Sequence, residues 1–467
     1  MIRPIRPIHP MKNVLLILTD DQRYDALRAA GNNAIHTPNL DRLAASGAMF
    51  THAHIPCGTH GAICMPSRAM LHTGRTLFSL EGCGENIPAS HTTLAEAFKS
   101  AEYETYGAGK WHNGPPSFAR GFTAGDNIFF GGMWDHWNVP VNRYDPTGAY
   151  DNVINFTANF FNDNKTVKVR CDKFNPGVHS SELLTDTGIN FIKNRSAEKP
   201  FFLYLAYLAP HDPRTMPEKF KAMYDPEKIA LPANFMKRHP FTFGVEDIRD
   251  ELLAASPRDE AEVRKHLAEY YAMVTHLDFE IGRLLDELER QNLLEETVIV
   301  VAGDNGLAVG SHGLMGKQNL YDHSVRVPLI MSGPGIPKNR AIANPVYLLD
   351  IFPTLCDLCG LPVPGSVEGK SFARMFHDPN FTTRNALYFA YTGLIRGVKD
   401  GRYKLIEYRN HANRQQLFDL LEDPCETRDL AADPAHSETL SRMAALLHEQ
   451  RAEWNDFEHP LSKRFWN

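Results

Sequence analysis

Residues 13–21, "NVLLILTDD", form a continuous apolar run that stops on two carboxylates. A half-exposed strand would alternate apolar and polar positions, so an unbroken short run reads as a strand covered on both faces. "PFFLYLAYLAPHD" at 200–212 and "TVIVVAGDNG" at 297–306 repeat the plan, each apolar run again ending on polar groups. All three read as buried parallel strands.

Helix-like stretches lie between them. In "TPNLDRLAASG", Thr37 stands as cap, Pro38 at the first helical position and Gly47 as stop. Residues 260–289 repeat Val263, Leu267, Val274, Ile281, Leu284 and Leu288 along one face. Strands alternating with helices predict an α/β fold with a large, mostly parallel sheet sandwiched by helices. From about residue 375 the pattern changes to short strands and turns, "ALYFAYTGLIRGVKDGRYKLIEY" and "QQLFDLLEDP", then a helix over about 437–455. The expected division is a catalytic α/β domain over 1–374 and a small C-terminal domain over 375–467, with a short antiparallel sheet and a helix, that completes the substrate cleft.

Open α/β sheets bind ligands beyond the carboxyl ends of their strands. Asp20, Asp21, His211, Asp304 and Asn305 all occupy such ends, so distant segments are expected to meet there.

The 467 residues are 43% hydrophobic and 22% charged, enough for a large core without general disorder. The net charge of -7 comes with no long Lys/Arg run, which argues against nucleic-acid or membrane partners. Seven scattered cysteines are no disulfide framework, and "CDLC" at 356–359 reads as two small buried thiols on a helix ending at Gly360. "THAHIPCGTH" offers His52, His54, Cys57 and His60, but the spacing matches no zinc pattern, and His52 and His54 fit one strand face. The N-terminal "MIRPIRPIHPMKN" lacks an apolar stretch of signal-peptide length, and no later run would span a bilayer. A cytoplasmic location is expected of the chain as written, or a periplasmic or secreted one if a leader was removed. Sequons at Asn155, Asn164, Asn194 and Asn380 would matter only in a secretory setting.

"GAICMPSRAMLHTGR" at 61–75 places Cys64 where a helix should begin, with Pro66 in its first turn and Gly74 as its stop. Exposed N–H groups there favour an anion, and Arg68 lies one turn further in. Read alone, the stretch is a small buried cysteine beside a capped helix. It resembles, however, the signature of type I sulfatases in the alkaline-phosphatase-like superfamily, C-x-P-S-R, four residues, then T-G, met in full by Cys64, Pro66, Ser67, Arg68, Thr73 and Gly74. The likeness continues through "GKWH" at 109–112, "APHDP" at 209–213, "GDNGLAVGSHGLMGKQNLYDHSVRVPLI" at 303–330 and "LFDLLEDPCETRDLA" at 417–431, and weakens between about 125 and 185.

The resemblance implies a sulfuric ester hydrolase in which Cys64 is oxidised to formylglycine by a maturation enzyme, the hydrated aldehyde being the nucleophile. It also implies one divalent cation at Asp20, Asp21, residue 64, Asp304 and Asn305. The all-oxygen side chains among them suit Ca²⁺ or Mg²⁺ rather than zinc, and the family likeness favours Ca²⁺. Lys110, His112, His211 and Lys317, with Arg68, match the remaining sulfate-handling positions. His112 is expected to deprotonate the second hydroxyl, and His211 or Lys317 to protonate the leaving alcohol. Asn305 beside Asp304 argues against a two-zinc phosphatase; a phosphodiester or phosphonate ester hydrolase of the same fold, or a glycan-binding protein without turnover, are the rival readings.

Substrate contacts are sought where the likeness is weakest. "FFGGMWDHWNVPVNRYD" at 129–145 gathers aromatic rings that could cover a sugar face, and Arg143 that could pair with a second anion. Trp134, His136 and Arg143, with His312, are the expected contacts. A sulfated carbohydrate is the first choice of substrate and a small aryl sulfate the second, although both tryptophans could simply anchor the stretch on the core.

Overall fold

A computed structural model describes residues 12–157, 165–409 and 414–467. Residues 1–11 of the N-terminal segment and the sequon at Asn164 lie outside the described residues.

The main sheet has eight strands. In chain order they are β1 (Asn13–Thr19), β2 (Gly47–Phe50), β3 (Glu104–Lys110), β4 (Ala124–Phe129), β5 (Phe201–Ala206), β6 (Thr297–Gly303), β7 (Leu329–Ser332) and β8 (Arg340–Ile342). They lie side by side in the order β8-β2-β7-β6-β1-β5-β3-β4. The block β6-β1-β5-β3-β4 is parallel, and β7 runs antiparallel to both β6 and β2. The three apolar runs are therefore neighbours at the centre: Leu16 pairs with Tyr204 on one side and with Val300 on the other.

Both sheet faces are buried, which is why these strands show no polar alternation. Val14, Leu16 and Leu18 enter one hydrophobic cluster with Phe202, Tyr204, Val298 and Val300. Leu15 and Ile17 point the other way and pack with Leu203, Leu205, Ile299 and Val301. That second face is covered by α1 (Pro38–Ser46), α3 (Ser180–Asn194) and α4 (Glu260–Arg290). The predicted apolar face of α4 divides along its length. Ile281, Leu284 and Leu288 sit under the sheet, while Val263, Leu267 and Val274 join a satellite cluster with Met216, Phe220 and Tyr224. The first face is covered by α2 (Cys64–Thr73), whose residues are all buried and which ends at Gly74 with φ 63°.

The C-terminal part forms an antiparallel sheet of β9 (Leu387–Tyr391), β10 (Ile395–Lys399), β11 (Tyr403–Tyr408) and β12 (Arg414–Asp419), backed by α5 (Ser437–Glu453). Cys57–Gly58 pairs with β9 and extends this sheet into the N-terminal half. Leu387, Phe389, Leu405 and Leu417 belong to the same core cluster as Val14 and Leu16, so the two sheets share one core. The rings of His52 and His54 lie roughly parallel at 6.3 Å. Cys356 is buried and Cys359 half-buried on a helix stopped by Gly360.

Candidate active site

Four adjacent strands deliver the polar groups. Asp304 and Asn305 follow β6, Asp20 and Asp21 follow β1, His211 follows β5, and Lys110 closes β3 with His112 just beyond it. The chain turns sharply at these ends: Asp21 (φ 64°) and His112 (φ 69°) occupy the left-handed region, uncommon for residues with a Cβ and concentrated at functional sites. Gly109 makes the approach of β3 feasible, since a Cβ there would lie 1.9 Å from the Ala206 carbonyl oxygen.

Helix α2 brings Cys64 over these ends, buried at 3% exposure. Its Sγ lies 3.5 Å from His112 Nδ1 and 3.5 Å from Lys110 Nζ. Lys110 Nζ also donates to Asp20 Oδ2. Arg68, one turn into the helix, donates through Nε to Asp304 Oδ2 (2.8 Å) and through Nη1 to the Lys110 carbonyl (2.7 Å). Ser67 Oγ donates to the Asp304 carbonyl at 2.5 Å. Arg68 thus spans the ends of β6 and β3. On the far side, Lys317 Nζ donates to Asp21 Oδ1 at 2.5 Å, and His211 Nε2 stands 3.6 Å from Asp21 Oδ2.

Asp20, Asp21 and His211 each place a ligand atom within 4.8 Å of one another, and so do Asp20, Cys64 and Asp304. Asn305 Nδ2 donates to Asp21 Oδ1 (2.7 Å), which turns its Oδ1 away; that atom and Asp20 Oδ1 are both buried and have no hydrogen-bond partner. Buried oxygens without donors are costly, and a hard cation would satisfy both. The donor set therefore fits a divalent ion bound by oxygen.

Charge is distributed unevenly around it. Burial alone would push the Asp20 carboxyl up, but Lys110, His211, Arg68 and Lys317 together hold it well below the usual carboxylate range. Burial and the neighbouring Asp20 push Asp304 up to about 6 despite Arg68. Burial raises the Cys64 thiol, with Lys110 and Lys317 only partly opposing it, so the side chain is no preformed thiolate nucleophile. Burial, reinforced by Lys110 and Arg68, drives His112 well below 6.5 and leaves it a neutral base. His211 falls to about 4 by burial, against the pull of Asp21. Burial would lower Lys317, but Asp21, Cys64, Asp250 and Asp20 together raise it well above its ordinary value.

A cavity of about 310 Å³ opens onto this cluster, lined by Cys64, His112, His211 and Lys317 at its base. Ile248, Arg249, Asp250 and Gln318, with Gly132 and Met133, complete its lining, none of them singled out from sequence as a site group. "VEDIRDE" at 245–251 reads as an ordinary solvated charged stretch, and only Gln318, next to Lys317, could have been suspected.

The four expected substrate contacts fall elsewhere. Trp134 is half-buried against the core, its ring 6.2 Å from Phe174. Arg143 is exposed and ties its backbone N–H to Asp172. His136 is corrected from sugar contact to internal support: it is 1% exposed, Nδ1 pairs with Ser180 Oγ at 2.7 Å, and Nε2 pairs with the His211 carbonyl at 2.9 Å. His312 is corrected likewise. It stacks on Tyr321 at 3.8 Å, pairs with the Glu426 carbonyl, and lines a separate cavity of about 240 Å³.

An open α/β sheet with carboxylates, lysines and histidines gathered around one helix-borne residue defines a hydrolase acting on esters of a tetrahedral oxyanion. Comparison with known proteins makes this specific. The chain matches the sulfatase family over residues 12–361, and the C-terminal region of N-sulphoglucosamine sulphohydrolase over 310–453. It belongs to the sulfatase family and is a sulfuric ester hydrolase. It is 28% identical to an ulvan-active sulfatase of Formosa agariphila, with 95% of this chain and 82% of that protein covered. It is 26% identical to an N-acetylglucosamine-6-O-sulfatase of Bacteroides thetaiotaomicron, covering 95% and 87%. A solved structure described as in complex with its substrate, D-glucosamine-2-N,6-O-disulfate, superposes with a TM-score of 0.76 at 22% identity, over 96% of this chain and 99% of that one, and supports the fold. Among the described residues no helix is long and apolar enough to cross a membrane.

Proposed function

We propose that this enzyme hydrolyses sulfate esters of a saccharide, with residue 64 matured to formylglycine and one Ca²⁺ held by Asp20, Asp21, Asp304 and Asn305. The observation that carries the reading is the placement of the Cys64 side chain 3.5 Å from both His112 and Lys110, directly over a set of hard oxygen donors. The sulfated-saccharide class is supported by the ulvan-active and N-acetylglucosamine-6-O-sulfatase relatives.

When present, the cation would supply Lewis-acid charge at a sulfate oxygen, and the matured residue a hydroxyl nucleophile. This chain's own groups do the rest. Lys110 and Lys317 face the sulfate with their ammonium groups, each already oriented by a carboxylate. His112, neutral and beside residue 64, takes up the proton released there through Nδ1. His211 donates Nδ1–H to the Asp212 carbonyl at 2.8 Å, which leaves its neutral Nε2 as an acceptor at the cavity floor, so the proton passed to the departing alcohol comes from Lys317 Nζ, which lines the same floor. The buried floor excludes bulk water from these transfers.

Expression with a formylglycine-generating enzyme, followed by peptide mass over residues 61–75 and measurement of sulfate and phosphate release, tests the proposal. Conversion of Cys64, sulfate release from sulfated sugars and its loss in Cys64→Ala are expected. Retained turnover in Cys64→Ala refutes the nucleophile, and preferred phosphate release points to the phosphorus-ester reading.

A further inference from the structure

The wall of the cavity says more about the substrate. Asp250 is 9% exposed and lines the cavity; Oδ2 accepts from Gln318 Nε2 at 2.8 Å and Oδ1 from Arg249 Nη1 at 3.0 Å. Each carboxylate oxygen has further acceptor capacity. Lys317, the Gln318 bond, His211 and Arg249 together outweigh burial and keep the group ionised. Gln318 is itself pinned, donating to the Gly61 carbonyl at 2.9 Å and accepting the Lys317 backbone N–H at 3.0 Å, so Asp250 is held rigidly beside the sulfate-handling lysine.

Arg249 does not cancel this charge. It forms a two-point pair with Asp212, Nη1 to Oδ1 at 3.0 Å and Nη2 to Oδ2, in addition to its bond to Asp250. Arg249 is therefore shared between two carboxylates, and Asp250 keeps acceptor capacity toward the cavity. Ile248 and Met133 add apolar surface at the same opening, Met133 being 38% exposed.

We infer that Asp250, with Arg249, is the specificity determinant of this site, accepting hydrogen bonds from hydroxyls of a sugar ring that is uncharged apart from the sulfate ester being cleaved. The inference rests on the saccharide reading above and narrows it. A fixed carboxylate takes O–H donors well, whereas a uronate or a second sulfate at that place meets like charge in a site of low dielectric. Ile248 and Met133 cover the C–H face of the ring.

The test compares matured wild type, Asp250→Asn and Asp250→Ala on three probes: 6-O-sulfated methyl glycosides and other monosulfated positional isomers of neutral hexoses, sulfated methyl uronides, and phenyl sulfate. Wild type should prefer the neutral glycosides to the uronides. In both variants the ratio of kcat/KM for the neutral glycoside to that for phenyl sulfate should fall by about 10- to 100-fold, the loss of a hydrogen bond to a charged group. The discrimination against uronides should narrow in parallel. An unchanged ratio in correctly folded Asp250→Asn, or a wild type that prefers uronides, overturns the inference while leaving the saccharide reading intact. Sulfate release from phenyl sulfate alone overturns the saccharide reading itself, and this inference with it.

Discussion

Replacing His136 by Phe keeps a planar ring of similar size at a fully enclosed position and deletes both ring nitrogens. The Ser180 hydroxyl can rotate to another acceptor, but the His211 carbonyl loses the partner that holds it at 2.9 Å. An unsatisfied buried acceptor costs about 1–3 kcal/mol, and weakened packing against His179, whose ring lies parallel at 5.2 Å, adds to that. A total near 2–4 kcal/mol is expected in unfolding experiments. The larger effect should fall on turnover, because the carbonyl belongs to the residue whose imidazole faces the cavity floor. A displacement of the order of 1 Å costs about 100-fold in rate. His136→Gln retains an amide donor able to reach the same carbonyl and should recover most of the loss. The assay is kcat on phenyl sulfate beside the denaturant midpoint for wild type, Gln and Phe. If the Phe variant is destabilised yet turns over at the wild-type rate, His136 is packing alone and the reasoning fails.

Gly132→Ala places a Cβ about 3.1 Å from His112 Cε1 and Nε2, so kcat should fall by about 10- to 100-fold with little change in Tm; an unaffected kcat would show that His112 yields freely. Asp304→Asn keeps an acceptor for Arg68 Nε but removes a charge from the proposed cation site, and metal analysis should show less bound divalent ion together with a rate loss of at least about 100-fold. Acid should destabilise the protein through its buried neutral histidines: burial lowers His72 to about 3 and His136, His239 and His312 to about 4. Between 6.5 and these values the unfolded chain binds more protons than the folded one, so stability rises with pH in that window and is lost as pH falls through it, by up to about 1.4 kcal/mol per unit for each group. A Tm that stays level from pH 7 to 4.5 would contradict this.

Much of this site was legible in the sequence because its chemistry sits at strand ends. A run buried on both faces announces itself by lacking polar positions, and whatever follows it must emerge at the sheet's edge. That logic located Asp20, Asp21, His211, Asp304 and Asn305, and the sulfatase-like signature supplied Cys64. The periodic face of α4 was equally plain, although nothing in it told that Val263 and Ile281 serve different clusters. The cavity wall was not legible. Asp250 and Arg249 lie in a stretch with neither helical nor strand period, and their charges look like solvated surface until Asp212 and Gln318 are seen beside them. His136 misled for the opposite reason: a histidine among aromatic residues suggests a ligand face, whereas its two nitrogens are consumed inside the protein.

The order of the strands explains why the charged motifs, scattered over some three hundred residues, act as one unit. β6, β1, β5 and β3 are consecutive in the sheet, so Asp304, Asp20 and Asp21, His211 and Lys110 arrive in a row at strand spacing, roughly 4.8 Å apart. Two cross-links then couple the row. Lys110 joins Asp20 to the side chain of residue 64, and Lys317 is held by Asp21 from the opposite side. On the proposed reading, each lysine meeting sulfate is therefore positioned by a carboxylate that would also hold the ion. A substitution at either aspartate should disturb ion binding and sulfate binding together, since one geometry serves both. Arg68 plays a different part: buried completely and bonded to Asp304 and to the Lys110 backbone, it fixes the ends of β6 and β3 relative to the helix that carries the nucleophile position. Lysine in its place would keep the charge but lose the planar fork that reaches both partners at once.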